Sequence, residues 1–295
     1  MIFGAKSSPS SAMYVKNKMA NENNIDFPVV ADAVIGDMYM DDLLHGGRDE
    51  QEASLKIDKF IKLFKRGGFE ICNWASNSKN VLASIPSNLR AKGFMELNSE
   101  ASNMVERVLG LRWSANQDSF LFELIFHKVK DDVLSGLKIP SKREVLRLVM
   151  SIFDPMGFLA HYVIRAKILF QHIWLSKIGW DDQLTTNQNQ QWQLWLKKLK
   201  NIQCVRIPRC YSPSLEIAEK VELHTFVDAS QEAMAAVSYL VLKVGDSFET
   251  AFILGRTRVA PTKPLSVPRL ELQAAILGTR MAETISEEIK LSIDV

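Results

Sequence analysis

The sequence predicts an α+β chain, and three observations predict it. Two short apolar strand patterns joined by an acidic turn open it, helical periodicity dominates its middle third, and three strand patterns followed by one helix pattern close it. The expected parts are residues 1–84, 85–215 and 216–295.

The first 30 residues read as polar loop around Ser7-Ser8-Pro9-Ser10-Ser11. Ala33 to Tyr39 reads as a strand, and Leu43 to Gly47 as a second short one, so the acidic connection between them predicts a hairpin. Ile57, Phe60, Ile61 and Phe64 repeat at helical spacing, which predicts a helix over Glu50–Arg66 that stops at Gly67-Gly68. A short strand, Phe69–Cys72, is expected next.

Residues 85–140 are mixed, with strand character at Phe120–Leu124. Ser141-Lys142-Arg143-Glu144 has the form of a capping box, with Val145, Val149 and Ile152 as the helix face behind it. Asp154-Pro155 is expected to end that helix. Two further helices are expected, over His161–Lys177 and over Asn187–Lys200, the second burying Trp192, Trp195, Leu196 and Leu199. Strands are then expected over Val221–Val227, Ala235–Val244 and Phe248–Leu254. Pro268 opens a closing helix with Leu270, Ala274, Leu277 and Met281 as its apolar stripe.

Composition excludes several classes. With 295 residues, 47% hydrophobic and 24% charged, the chain is ordinary globular material for about two domains. The net charge of +2 leaves a basic groove possible, because whole-chain charge averages local fields away. Three cysteines, Cys72, Cys204 and Cys210, form neither a disulfide framework nor a zinc pattern and fit a reducing compartment. No signal peptide and no membrane-spanning run is read, so the expected location is intracellular, cytoplasmic or nuclear, with no membrane partner.

The sharpest chemical signal is Tyr39-Met40-Asp41-Asp42. Two adjacent carboxylates on a hairpin repel each other unless a cation offsets them. A divalent ion held by oxygen ligands does this, and nucleotidyl transfer uses two such ions on the attacking and leaving oxygens. The bland reading is a solvated acidic turn. Such a string arises by chance in roughly 3% of chains of this length, so the flanking strand patterns matter.

With those residues the chain resembles the reverse transcriptases of BEL/Pao-class LTR retrotransposons. Tyr39-Met40-Asp41-Asp42 is similar to the polymerase metal-binding hairpin, and Phe3 to Pro9, with Lys6 and Ser7, to the segment lining nucleotide and template. Gly67-Gly68-Phe69 and Trp74-Ala75-Ser76-Asn77 resemble the turn and strand at the primer end, although Asn73 stands where the family usually has a basic residue. Val108 to Trp113 resembles the thumb and connection region. Ile152-Phe153-Asp154-Pro155-Met156-Gly157-Phe158 resembles the signature that follows, in a stretch sometimes catalogued as a Pao-type (A17) peptidase. No Asp-Thr-Gly or Asp-Ser-Gly occurs, so no aspartic protease is expected.

His224 to Ser230 and Pro268 to Ala274 resemble the first strand and first helix of an RNase H domain, which makes Asp228 and Glu271 its metal ligands. The physics agrees: a carboxylate at a strand end and one in the first turn of a later helix can converge on paired magnesium ions. The bland reading of Glu271 is an acid at a helix start, favoured by the dipole.

The resemblance therefore implies a partial reverse-transcriptase palm, a largely helical thumb and connection, and an incomplete RNase H-like domain. It implies Asp41, Asp42, Asp228 and Glu271 as catalytic metal ligands, and Lys6, Ser7, Tyr39, Trp74 and Asn77 as nucleic-acid contacts. It implies Mg2+ or Mn2+ as a two-ion cofactor. The implied partners are RNA, an RNA–DNA template-primer and the rest of the polyprotein. Each site lacks a third carboxylate within 1–295, Asp294 not being counted, so impaired metal binding and no activity are expected of this chain alone. In this reading the basic grip on the hybrid would come from Lys62, Lys65, Arg66, Lys142 and Arg143, and the alternative is a non-catalytic nucleic-acid-binding remnant.

Overall fold

The computed structural model describes residues 6–94, 105–123, 126 and 129–294. Its contacts divide the chain into two units, Met1–Phe120 and Leu121–Val295. Phe3, Gly4, Ala5 and Leu124, which carry parts of two sequence expectations, lie outside the described residues.

The first unit opens on helix, not loop. Helix α1 (Ser8–Glu22) carries Pro9 in its first turn, where a missing N–H costs nothing. Helix α2 (Pro28–Gly36) starts the same way and replaces most of the expected Ala33–Tyr39 strand. The helical form buries Val30, Ala31, Ala33 and Val34 in one cluster with Met19, Ala20, Phe60 and Leu63. A strand would have turned alternate members of that set outward.

The hairpin is shorter than expected. Strands β1 (Met38–Tyr39) and β2 (Asp42–Leu43) pair antiparallel across Met40-Asp41, with Met40 at φ 55°. Helix α3 (Glu50–Arg66) follows with the expected bounds, its Asp49 side chain accepting from the Glu52 N–H and Gly67 closing its end. No strand forms over Phe69–Cys72. The backbone instead reaches a single bridge between Trp74 and Arg90.

Helix α4 (Lys79–Ala83) and two single-turn helices surround a second small core of Leu82, Ile85, Ala91, Phe94 and Ala115. Strands β3 (Val105–Val108) and β4 (Leu111–Ser114) pair as a hairpin, and β5 (Ser119–Leu121) lies at the junction of the units.

In the second unit, α5 (Asp131–Leu134) leads into α6 (Lys142–Met150). The capping box at Ser141 and Glu144 is present in full. Helix α6 ends at Met150, four residues before Asp154, so neither Asp154 nor Ile152 belongs to it. Helices α7 (Ala160–Leu175) and α8 (Thr186–Leu199) pack with α6 around Trp192, Leu148, Val145 and Ile173. All four expected face residues of α8 are buried.

After β6 (Arg206–Pro208) come β7 (Lys220–Ala229), β8 (Ala233–Val244) and β9 (Ser247–Val259), an antiparallel sheet in that order. Met234, Ala236, Ser238, Leu240 and Leu242 alternate onto its buried face. Helix α9 (Val267–Glu288) lies on that face through Leu270, Ala274, Leu277 and Met281. Gly278 brings α9 so close to β7 that an added methyl would overlap Val227. Under the helix Thr225 Oγ1 and Ser238 Oγ lie 2.7 Å apart and satisfy each other.

Candidate functional site

Asp228 is the penultimate residue of β7, and Glu271 stands in the second turn of α9. Strand alternation sets Thr225, Val227 and Ala229 toward α9 and Asp228 away from it. Leu270 packs in one cluster with Ala229 and Met234, so the start of α9 sits at the Asp228 end of β7. Glu271 follows Leu270 and shares a helix side with Gly278, two turns on, which faces Val227. Both acids are exposed and neither carboxylate is in an ion pair or hydrogen bond among the described residues. Free carboxylates at one end of a sheet offer hard oxygen donors of the kind magnesium takes.

In the first unit, Asp41 sits in the hairpin turn and Asp42 pairs opposite Tyr39. Both are exposed, and Tyr39 projects with 67% of its surface accessible. Their donor set fits a divalent ion in the same sense, with two oxygen-bearing groups. Among the described residues no three His, Cys, Asp or Glu side chains converge as a metal group. Each candidate centre therefore offers at most two such groups among the described residues.

Asp294 is committed elsewhere. Its carboxylate accepts from the Val221 N–H at 2.9 Å and its own N–H donates to the Val221 carbonyl at 2.8 Å. It begins a parallel bridge at the far end of β7, seven residues or roughly 23 Å from Asp228.

The expected nucleic-acid contacts are scattered. Lys6 and Ser7 are exposed in the turn before α1. Trp74 is half-buried between two cores, its ring 6.4 Å from that of Phe60. Asn77 donates to Asp118 at 3.3 Å, and Asp118 also accepts from the Trp113 indole at 2.9 Å.

Most of the expected cationic grip is engaged by other groups of the chain, at exposed positions for Lys62, Arg66 and Arg143 and at a buried one for Lys142. Lys62 pairs with Asp58, Arg66 with Asp26, and Arg143 takes Asp181 with two nitrogens. Lys142 is 6% exposed, with its ammonium 4.3 Å from the Trp174 ring and 5.1 Å from that of Trp180. Aromatic faces and the Ile178 carbonyl at 3.2 Å compensate its burial.

Sequence reasoning missed two things. His45 Nδ1 lies 2.7 Å from Asp37 Oδ2, a clasp across the base of the acidic hairpin. Its only sequence trace is one polar residue on each side of the strand pair. The second is the role of the Asp154–Phe158 motif. The Leu159 N–H donates to Asp154 at 2.8 Å, the Gly255 N–H donates to the Met156 carbonyl at 2.9 Å, and Phe158 packs 5.1 Å from Phe252. Gly157, at φ 78°, passes so close that a side chain would overlap the Gly255 carbonyl. The motif thus fastens the helices to the edge of the sheet. Burial pushes the Asp154 carboxyl up, the Leu159, Phe158 and Gly157 amides opposing. A lone acid in this setting is a structural cap.

Among the described residues no helix is long and apolar enough to cross a membrane. No curated protein matches the chain. A family model described as the Pao retrotransposon-like RNaseH-like domain matches residues 141–295, which takes in helices α6 to α8, the three-stranded sheet and α9. The chain belongs to this Pao retrotransposon-like family.

Proposed function

We propose that the chain is part of a retrotransposon polyprotein whose C-terminal part is the leading portion of a ribonuclease H-type nuclease acting on RNA–DNA hybrid. The observation that carries this reading is the placement of Asp228 and the start of α9 at one end of β7, within the matched region. Asp228 and Glu271 would hold Mg2+ or Mn2+, which when bound supplies charge stabilisation to a phosphoryl oxygen. The sheet and α9 fix the two carboxylates on rigid elements.

The first unit is read as a palm portion of an RNA-directed DNA polymerase, with Asp41 and Asp42 as ligands and Tyr39 beside them. The exposed, unpaired acidic hairpin supports this. Lys6, Ser7 and Asn77 are the proposed contacts to template and primer, and Trp74 would act through its packing. The partners are RNA, hybrid duplex and other parts of the polyprotein.

No three candidate ligands converge at either place among the described residues, which favours weak metal binding and no turnover by this chain alone. That observation also supports the second reading, a non-catalytic nucleic-acid-binding remnant. Calorimetric titration with Mn2+, with and without hybrid, tests both. Weak binding that Asp228→Asn or Glu271→Gln abolishes supports the nuclease site, and the same loss in Asp41→Asn supports the palm. Metal-independent hybrid binding with no metal heat in any form would leave only the second reading. Magnesium-dependent cleavage or polymerisation by the purified chain would overturn the expected inactivity.

A further inference from the structure

We infer that His45 and Asp37 are positioning residues of the acidic hairpin: the hydrogen bond between their side chains fixes where Asp41 and Asp42 present oxygens to a divalent cation. This role rests on the hairpin being the metal site proposed above. The hairpin cannot set its own geometry. Each strand contributes two residues, Met38 pairing with Leu43 and Tyr39 with Asp42, and a two-stranded ribbon of that size is marginal in water. Its turn also holds a sparsely populated conformation, Met40 having φ 55° without being a glycine. Such a backbone persists only where the surrounding structure over-determines it. Asp41 lies inside this turn and Asp42 directly after it, so both carboxylates inherit whatever freedom the turn has.

The restraint comes from the base. The Leu44 N–H donates to the Asp37 carbonyl at 3.0 Å, one step beyond the last strand pair. Past that bond the side chains take over: His45 Nδ1 donates to Asp37 Oδ2 at 2.7 Å, with 21% and 17% of the two side chains exposed. The His45 ring stands edge-on to Phe60 of α3, their centroids 5.6 Å apart, and Phe60 is part of the first core. Strand β1 has its own anchor. The buried Lys16 of α1 donates to the carbonyls of Val34 at 2.5 Å and of Met38 at 3.4 Å. Strand β1 is thus tied to α1, and the His45–Asp37 contact passes that restraint on to the chain leaving β2. Metal ligands serve only when held to within about 0.5 Å of their positions, and the groups behind them do the holding.

The test is calorimetric titration of Mn2+ into the full chain carrying Asp228→Asn and Glu271→Gln, so that the acids of the second unit are silent. Two substitutions separate the hydrogen bond from the packing. His45→Phe keeps a ring against Phe60 and removes the donor, and it is expected to weaken Mn2+ binding about tenfold. His45→Asn removes the ring and keeps a donor at the δ position, and it is expected to retain most of the affinity. Asp37→Ala is expected to lose as much as His45→Phe. The two together should lose no more than either alone, because they break one contact. Equal thermal midpoints show that the variants fold, and Asp37→Ala provides an independent arm should His45→Phe fail to do so.

Unchanged affinity in His45→Phe and Asp37→Ala overturns the inference, while a loss in Asp41→Asn still reads the hairpin as a metal site. A loss in His45→Asn without one in His45→Phe overturns it in favour of ring packing. Losses that add in the double variant overturn it in favour of two separate roles. Absence of any Mn2+ heat that Asp41→Asn removes overturns it together with the palm reading of the first unit.

Discussion

Two glycines and one aspartate carry much of the second unit's geometry. Gly157 combines a left-handed backbone with contact against the Gly255 carbonyl, so Gly157→Ala meets strain and overlap together. The backbone part alone costs about 1–3 kcal/mol. Denaturant unfolding should show at least this loss, and a change below about 0.5 kcal/mol would mean that the loop docks differently. Gly278→Ala should gain helix propensity of about 1 kcal/mol yet destabilise through overlap with Val227, at about 1–3 kcal/mol. Val227→Ala made with it should relieve the overlap, giving a favourable coupling in a double-mutant cycle. For Asp154 the folded pKa lies above the ordinary 3.8 because of burial. Its protonated form therefore favours the fold below that pH, and this contribution is lost as pH rises through the folded value. Asp154→Asn keeps an acceptor for the Leu159 N–H but cannot ionise. Its stability relative to the unaltered chain should rise with pH from about 4 upward, and a pH-independent difference would remove burial as the cause.

At the scale of elements, the ends of helices decide as much as their faces. Ser141 accepts from the Glu144 N–H, and Glu144 accepts from the Ser141 N–H at 2.8 Å, so α6 begins with two of its free donors satisfied. Ser141→Ala should cost about 1 kcal/mol in unfolding free energy, and a neutral result would mean that the Pro140 chain entry alone fixes the helix start. Such local chemistry is what made α3, α6, α8 and α9 legible in the sequence: periodic apolar faces with a cap, a proline or a glycine at the boundary. Helix α2 was not legible, because Val29, Val30, Val34 and Ile35 are strand formers that packing against α3 overrides. Phe69–Cys72 has strand composition but no partner to pair with. The four acids of the candidate sites were legible because carboxylates beside strand ends stand out.

Over the whole molecule, the buried residues fall into clusters that respect the division at Phe120. Two cores, around Phe60 and Phe94, lie in the first unit. Three, around Trp192, Leu240 and Leu270, lie in the second. Among the described residues no buried side chain belongs to cores of both units, so each unit holds its own hydrophobic stabilisation. Phe60 and Trp192 are 2% and 0% exposed, and truncating either to alanine removes about 3–5 kcal/mol from its core. If the units unfold as separate cooperative blocks, calorimetry of the full chain should resolve two transitions or one broadened envelope. Phe60→Ala should then lower one component and Trp192→Ala the other. The double variant should show both shifts with little coupling, because independent sites add. A single sharp transition that both substitutions lower equally would show instead that the chain folds as one block. The acidic hairpin and the Asp228 end of β7 would then share one stability, and loss of metal binding at one place could no longer be read separately from unfolding at the other.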